Sequence, residues 1–288
     1  MTKIILFCEG IDIVKSKFSV KILACAMAAV FLFAGCVSTD KGGSAGADQS
    51  WEKVQKAGVL VLGLDDNFPP MGYRDDNNEI VGFDIDLAKE VASRLKIQLK
   101  LQPINWDSKE QELNTGNIDC IWNGFTMTDD LKKNLLFSDA YMNNQQVLVV
   151  MADSKCNSEA DLAGKSVALQ SDSSAKVALD SKTDFKASLK EVIELDNYTT
   201  CLMDLEKGGV DAVVMDEIVA RYFIQMKGSK YKLLGNSLAA EEYGIGFRKA
   251  DTALMTKIND TLKEMAKDGT NAKISEKWFG KDISTIGK

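Results

Sequence analysis

The 288-residue chain contains no histidine. Ser-His-Asp catalysis, Cys-His catalysis and every histidine metal site are thereby excluded. Carboxylates, lysines, hydroxyls and aromatic faces remain as the groups that could act. The six cysteines (Cys8, Cys25, Cys36, Cys120, Cys156 and Cys201) form no CxxC pair, so no structural zinc site is expected, and no other metal or cofactor motif stands out. Two short segments repeat one plan. Gly116-Asn117-Ile118-Asp119 leads into the apolar run Cys120-Ile121-Trp122, and Gly209-Val210-Asp211 leads into Ala212-Val213-Val214-Met215. Polar residues follow each run: Asn123 and Thr126 after the first, Asp216 and Glu217 after the second. Ligands of open α/β sheets bind beyond the carboxyl ends of strands, so two such ends facing one another would make a cleft. The plain alternative is a pair of ordinary strand ends with polar loops. An aspartate buried beside a cleft needs a cationic partner, which makes Asp216 the foremost candidate.

The elements that would carry these residues are legible. Residues 59–64 (VLVLGL) form a branched apolar run, as a buried strand does. Residues 84–96 are amphipathic, with Ile85, Ala88, Val91, Ala92 and Leu95 on one helical face. Residues 98–101 alternate like a strand, and residues 110–114 read as a short helix stopping near Gly116. A helix over 199–207 ends at Gly208-Gly209 before the second strand. Alternating strands and helices predict an α/β fold with a mostly parallel sheet. The apolar strands 145–151 and 243–247 flank the second unit and could be two crossings between lobes. A helix over 251–267 and the anchors Trp278 and Phe279 close the chain. The composition is 45% hydrophobic and 27% charged, as in globular proteins. The net charge of −7, with no Lys/Arg cluster, argues against nucleic acid as a partner.

The N-terminus reads as a processing segment. Lys15, Lys17 and Lys21 precede an apolar run over 22–33, and small residues follow. That order is a secretory signal. Twelve apolar residues fall short of the ~20 that a spanning helix needs; a short anchor or a buried helix is the alternative. The stretch before Lys15 is long for a signal, which leaves a downstream start open. Residues 37–50 are rich in Ser, Gly, Ala and Asp, as a flexible tether is. Export would permit a Cys156–Cys201 disulfide, which the sequence leaves undecided; Cys120, inside a strand, reads as a small buried hydrophobe.

Phe68-Pro69-Pro70-Met71-Gly72-Tyr73 followed by Gly82-Phe83-Asp84-Ile85-Asp86-Leu87-Ala88 resembles the signature of polar amino-acid-binding proteins, solute-binding family 3, which serve ATP-driven importers. Trp106-Asp107, Thr126-Met127-Thr128, Phe137-Ser138-Asp139, Leu162-Ala163-Gly164-Lys165, Ala168-Leu169-Gln170 with Ser173-Ser174, Asp211 to Glu217, and Glu242-Tyr243-Gly244-Ile245-Gly246 match in order. The resemblance spans roughly 51–281. It implies a two-lobe periplasmic-binding-protein-like α/β fold with a hinge of two crossing strands and a central ligand cleft: lobe 1 from 51–145 plus 244–288, lobe 2 from 146–243. Phe33-Ala34-Gly35-Cys36 resembles a lipoprotein processing box, which implies removal of 1–35, lipidation of Cys36 and a lipidated tether over 36–50.

By matched position the family places Asp65 and Phe68 in the first-lobe wall, and Asn123, Gly124 and Thr126 at a ligand-facing strand end. It places Ser174 at a helix N-terminus, where backbone N–H groups favour an anion, and Asp216 against the ligand's amino group. Trp106 and Trp122 are candidate aromatic walls. Asp84 and Asp86 read instead as helix caps or braces, and Asp119 and Asp211 as turn formers. The implied function is a monomeric, lipid-anchored extracytoplasmic receptor that delivers a small amino-acid-like ligand to an ABC permease and ATPase, with no cofactor and no catalysis. A dehydratase-like cleft enzyme and a sensory binding module are the alternatives. One departure bears on the ligand. The family usually has arginine five residues after the Thr126 position, where it grips the ligand carboxylate; here Leu131 stands there, and Lys132 and Lys133 follow at the wrong helical angle. An acidic and aromatic pocket of Asp65, Asp216, Phe68, Trp106 and Trp122 would favour a cation; the alternative, of equal standing, is an ordinary amino acid whose carboxylate uses Thr126, Ser174 and backbone N–H groups, with Lys132 assisting.

Overall fold

The computed structural model describes residues 48–288; the expected signal, Cys36 and nearly all of the expected tether lie outside the described residues. Two five-stranded sheets organise the body. The first runs Gln98–Pro103, Val59–Leu64, Cys120–Ile121, Gly246–Arg248, Leu135–Phe137. Its first two pairings are parallel and its last two antiparallel. The second runs Glu191–Leu195, Ser166–Gln170, Ala212–Asp216, Met142–Met151, Tyr231–Tyr243, again parallel then antiparallel. Each sheet is therefore mixed rather than mostly parallel. The chain leaves the first sheet after Leu135–Phe137 and returns to it at Gly246–Arg248, having built the second in between. The outgoing strand Met142–Met151 and the returning strand Tyr231–Tyr243 pair antiparallel, with Met142 opposite Tyr243. Two α/β lobes joined by two strands result.

The repeated Gly…Asp segments do the same structural work in both lobes. Asp119 donates its N–H to the Val61 carbonyl (2.7 Å) and accepts from the Val61 N–H through Oδ2 (2.8 Å). Asp211 does likewise with Ser166, at 2.8 and 3.0 Å. Each aspartate thus locks the start of one strand onto its parallel neighbour, which aligns the carboxyl ends where polar loops begin.

The helix Phe83–Leu95 buries Phe83, Ile85, Leu87, Ala88, Val91 and Ala92 against the first sheet. It starts at Gly82 because the chain must turn there with φ +149°, and a Cβ would lie 2.1 Å from the Met71 carbonyl oxygen. Asp86 on this helix accepts from Trp278 Nε1 (2.8 Å) and Lys277 Nζ (2.6 Å), and Phe83 packs on Phe279 with ring centroids 5.1 Å apart. These contacts dock the last helix, Thr270–Phe279, and make Asp86 a brace. Cys120, Cys156 and Cys201 are all buried free thiols, so no Cys156–Cys201 disulfide forms.

Candidate functional site

The two strand ends face each other across a cleft of about 230 Å³ between the lobes, lined among others by Phe68, Trp106, Gly124, Thr126, Ser174 and Asp216. Six of the eight expected ligand-contacting residues are therefore brought together there. Asp216 ends the strand Ala212–Asp216 and is 2% exposed. Its Oδ2 accepts from the Tyr198 hydroxyl (2.8 Å); its Oδ1 accepts from Asn144 Nδ2 (2.6 Å) and from the Tyr243 hydroxyl. All of these donors are neutral, so among the described residues the carboxylate has no ion-pair partner. An aspartate so desolvated needs a positive charge from elsewhere. Phe68 lies across the interlobe gap from Tyr198, ring centroids 5.7 Å apart.

Gly124 adopts φ +57°, and a Cβ there would meet Phe68 at 2.8 Å and Tyr243 at 3.1 Å, so only glycine lets these rings close around Asp216. The Gly124 N–H donates to Asp84 Oδ2 (2.6 Å), which also accepts from the Tyr141 hydroxyl (2.9 Å). Asp84 is thus a brace of the binding loop rather than a helix cap. Burial pushes its carboxyl up to about 7, against those two hydrogen bonds.

At the other side of the cleft, Thr126 Oγ1 donates to Ser174 Oγ (3.1 Å) across the lobes. Ser174 begins the helix Ser174–Ser181, whose entry is fixed by the Ser173 hydroxyl donating to the Gln170 carbonyl (2.7 Å). Hydroxyls and a helix N-terminus together suit a carboxylate. Leu131 lines the cleft and packs with Trp106 and Phe125; Lys132 and Lys133 do not line it, and Lys133 pairs with Asp130 instead.

Three expected positions lie elsewhere. Trp122 is a correction: it is fully buried against Tyr141 and forms no wall. The strand end turns its side chain into the core, where 0% exposure rewards a large apolar ring. Asn123 is also buried and does not line the cleft; its Oδ1 accepts from the Asp65 N–H (3.0 Å) and holds that strand end in place. Asp65 lines a separate, polar cavity of about 440 Å³ with Trp106, Asp107 and Asp196. Its Oδ2 accepts from Gln170 Nε2 of the other lobe (2.8 Å), and burial raises its carboxyl to about 6.

Other site residues were not singled out by sequence. Lys109, its side chain 3% exposed, reaches across the lobes: Nζ donates to Asp172 Oδ2 (2.5 Å), the Asp172 carbonyl (2.8 Å) and the Trp106 carbonyl (3.1 Å). All three of its protons are used, so the ammonium acts as a latch. Glu241, on the returning strand, accepts from Asn144 Nδ2 (2.6 Å) and Gln146 Nε2 (2.8 Å). Gln170 and Tyr243 fall within matched motifs, which was the available signal; Asn144, Lys109 and Tyr198 carried none.

Two lobes meeting at a small cleft with a buried carboxylate on its floor that lacks an ion-pair partner among the described residues define a solute receptor. The chain belongs to the bacterial extracellular solute-binding proteins, family 3, whose model matches residues 60–281. It is 30% identical over 240 residues to the L-cystine-binding protein TcyJ of Escherichia coli K12, covering 81% of this chain and 86% of that protein. Among solved structures, it resembles an ABC uptake transporter substrate-binding protein from Streptococcus pneumoniae with bound histidine: 36% identity, TM-score 0.80, covering 83% of this chain and 99% of the other. It also resembles Tv2483 bound to L-arginine, at 34% identity and TM-score 0.79, covering 84% and 98%. The family is one of extracytoplasmic solute-binding proteins of amino-acid ABC importers.

Proposed function

We propose that this chain captures an amino acid or related solute carrying a positive group and delivers it to an ABC permease with its ATPase subunits. The observation that carries the reading is Asp216: a buried carboxylate on the cleft floor whose partners Asn144, Tyr198 and Tyr243 are all neutral. The ligand's ammonium or guanidinium supplies the missing charge. Its carboxylate, where it has one, meets Thr126, Ser174 and the N-terminus of Ser174–Ser181. With Leu131 in the cleft, Lys109 committed to Asp172 and Lys176 to Glu194, no free basic side chain among the described residues grips that carboxylate in bidentate fashion. Basic amino acids, amines and quaternary ammonium compounds fit this inventory best. The histidine and arginine bound by the two structural relatives are consistent with it.

The receptor is a monomer with lobe 1 spanning 51–145 plus 244–288 and lobe 2 spanning 146–243. It loses its signal at 1–35 and is held to the membrane by lipid on Cys36 through the tether 36–50. It performs no chemistry on its ligand. Thermal denaturation with a panel of amino acids, amines and quaternary ammonium solutes tests the reading. A true ligand at ~100 times its Kd stabilises the closed form by about 2.7 kcal/mol and is recovered unaltered by mass spectrometry. Conversion of the solute would establish the enzymatic alternative, and no stabilisation by any member of the panel would remove the transport reading.

A further inference from the structure

Asp216 is not alone at the floor of the cleft. Glu241 stands beside it, and the two carboxylates share a single amide: Asn144 Nδ2 donates to Asp216 Oδ1 and to Glu241 Oε1, each at 2.6 Å. Glu241 receives further donors from Gln146 Nε2 (2.8 Å) and, at the limit of a bond, the Ser174 hydroxyl (3.5 Å). Ser174 and Thr126 line both the central cleft and the adjoining hinge-side cavity that Glu241 faces. The central cleft, lined by Asp216, and the hinge-side cavity, lined by Glu241, therefore adjoin at Thr126 and Ser174.

The charged and titratable groups around the pair do not neutralise it. The outgoing strand offers the amides of Asn143, Asn144, Gln145 and Gln146, and Tyr141 just before it is a phenol kept protonated by burial and then by the charge of Asp84. Tyr198 on the helix Tyr198–Lys207 and Tyr243 on the returning strand donate as neutral phenols; burial, and then the charge of Asp216, hold their hydroxyls protonated. Cys201, on the same helix as Tyr198, is a buried thiol, raised by burial. Arg221 pairs with Glu217, Lys176 with Glu194 and Lys109 with Asp172. Asp129 and Glu242, which line the hinge-side cavity, and Asp180, which lines the central cleft, add negative charge. Two like charges in contact, away from water, cannot both persist uncompensated.

We propose that Asp216 and Glu241 form one two-carboxylate site in which Glu241 holds a proton when the site is empty and releases it to solvent when the positive group of the ligand is captured. Glu241 is then a specificity-determining residue, and capture of a cation releases a proton. The inference rests on the cationic ligand of the reading above. Burial, and then the neighbouring charge of Asp216, push the Glu241 carboxyl up to about 8. Below that pH the proton competes with the ligand, so apparent affinity rises roughly 50-fold between pH 6 and pH 8.

Two measurements decide the matter. Carboxyl 13C NMR of the ligand-free protein follows Glu241 directly between pH 5 and 9; a carboxyl titrating near 8 and lost in Glu241→Gln is expected. Completion of the Glu241 titration below pH 5 would overturn the proton held by Glu241. Calorimetry with L-arginine at pH 7, in phosphate and in Tris, counts protons from the difference in buffer ionisation heat. Release of close to one proton by the wild type and none by Glu241→Gln, whose affinity stays flat from pH 6 to pH 8, is the expected result. Arginine binding with no proton released would overturn the inference and leave the receptor reading standing. Failure of arginine, histidine and every amine to bind would instead strike the receptor reading, and the NMR titration would still decide the acid pair.

Discussion

Replacing Asp216 by asparagine removes one charge and almost no volume. The new side chain keeps an oxygen that can accept from Asn144 or Tyr243, and the Tyr198 hydroxyl can turn to accept from the new amide, so the floor of the cleft keeps its shape. What is lost is the partner of the ligand cation in a site 2% exposed to water. Breaking a desolvated charge pair costs about 3–5 kcal/mol, or roughly 150- to 5,000-fold in Kd. The folded protein itself should not suffer, because the wild-type carboxylate is held only by neutral donors. The midpoint of thermal unfolding without ligand is expected to stay level or to rise. Calorimetric titration with L-arginine and with a quaternary ammonium solute, alongside thermal scans of the empty variant, gives both quantities. An unchanged Kd for every cationic solute, with an unchanged melting temperature, would refute the argument and remove Asp216 from the site.

The other predictions address the brace, the latch and the anchor. In Asp84 the carboxyl sits near 7 in the folded protein against an ordinary 3.8; its contribution to stability is present below about pH 4 and is lost as pH rises through about 7. Asp84→Asn, which still accepts from Gly124 and Tyr141, should flatten the pH dependence of the melting temperature over that window, whereas Asp84→Ala should cost about 1–3 kcal/mol by leaving those donors unpaired; equal behaviour of the two variants would contradict the brace. Lys109→Met keeps the stem over Trp106 and removes the cross-lobe latch. It should weaken binding of all solutes alike, by roughly 5- to 30-fold for about 1–2 kcal/mol, and a loss confined to one solute class, seen by calorimetry, would count against a latch. Cys36→Ala should release the protein from the membrane fraction on ultracentrifugation; partition equal to wild type would end the lipoprotein reading.

Much of the fold was legible because local pattern and tertiary role coincide. The apolar face of the helix Phe83–Leu95 and the run Val59–Leu64 declare their burial by spacing alone. The repeated Gly…Asp segments marked two equivalent strand starts, and the structure shows each aspartate pinning a neighbouring strand. Asp216 could be found because it follows such a strand directly. Its surroundings could not: Asn144 lies 72 residues from Asp216 and 97 from Glu241, and no local periodicity joins them. Trp122 shows the same limit from the other side. A large ring at a strand end reads equally as wall or as core, and only the packing against Tyr141 decides. Lys109, on the short helix Lys109–Thr115, had the composition of a solvated face until Asp172 of the other lobe took it up.

The central claim is that the cleft selects a positive group through Asp216. Calorimetric competition among L-arginine, its decarboxylated analogue agmatine, L-glutamine and L-glutamate tests it most directly. The account predicts that a cationic member binds at least roughly 100-fold more tightly than glutamate: the ammonium of glutamate can pair with Asp216, but its second carboxylate meets an acidic cleft whose Lys109 and Lys176 are already paired, and an unpaired buried charge costs about 3–5 kcal/mol. Tight binding of glutamate, with no measurable affinity for either cation, would contradict it.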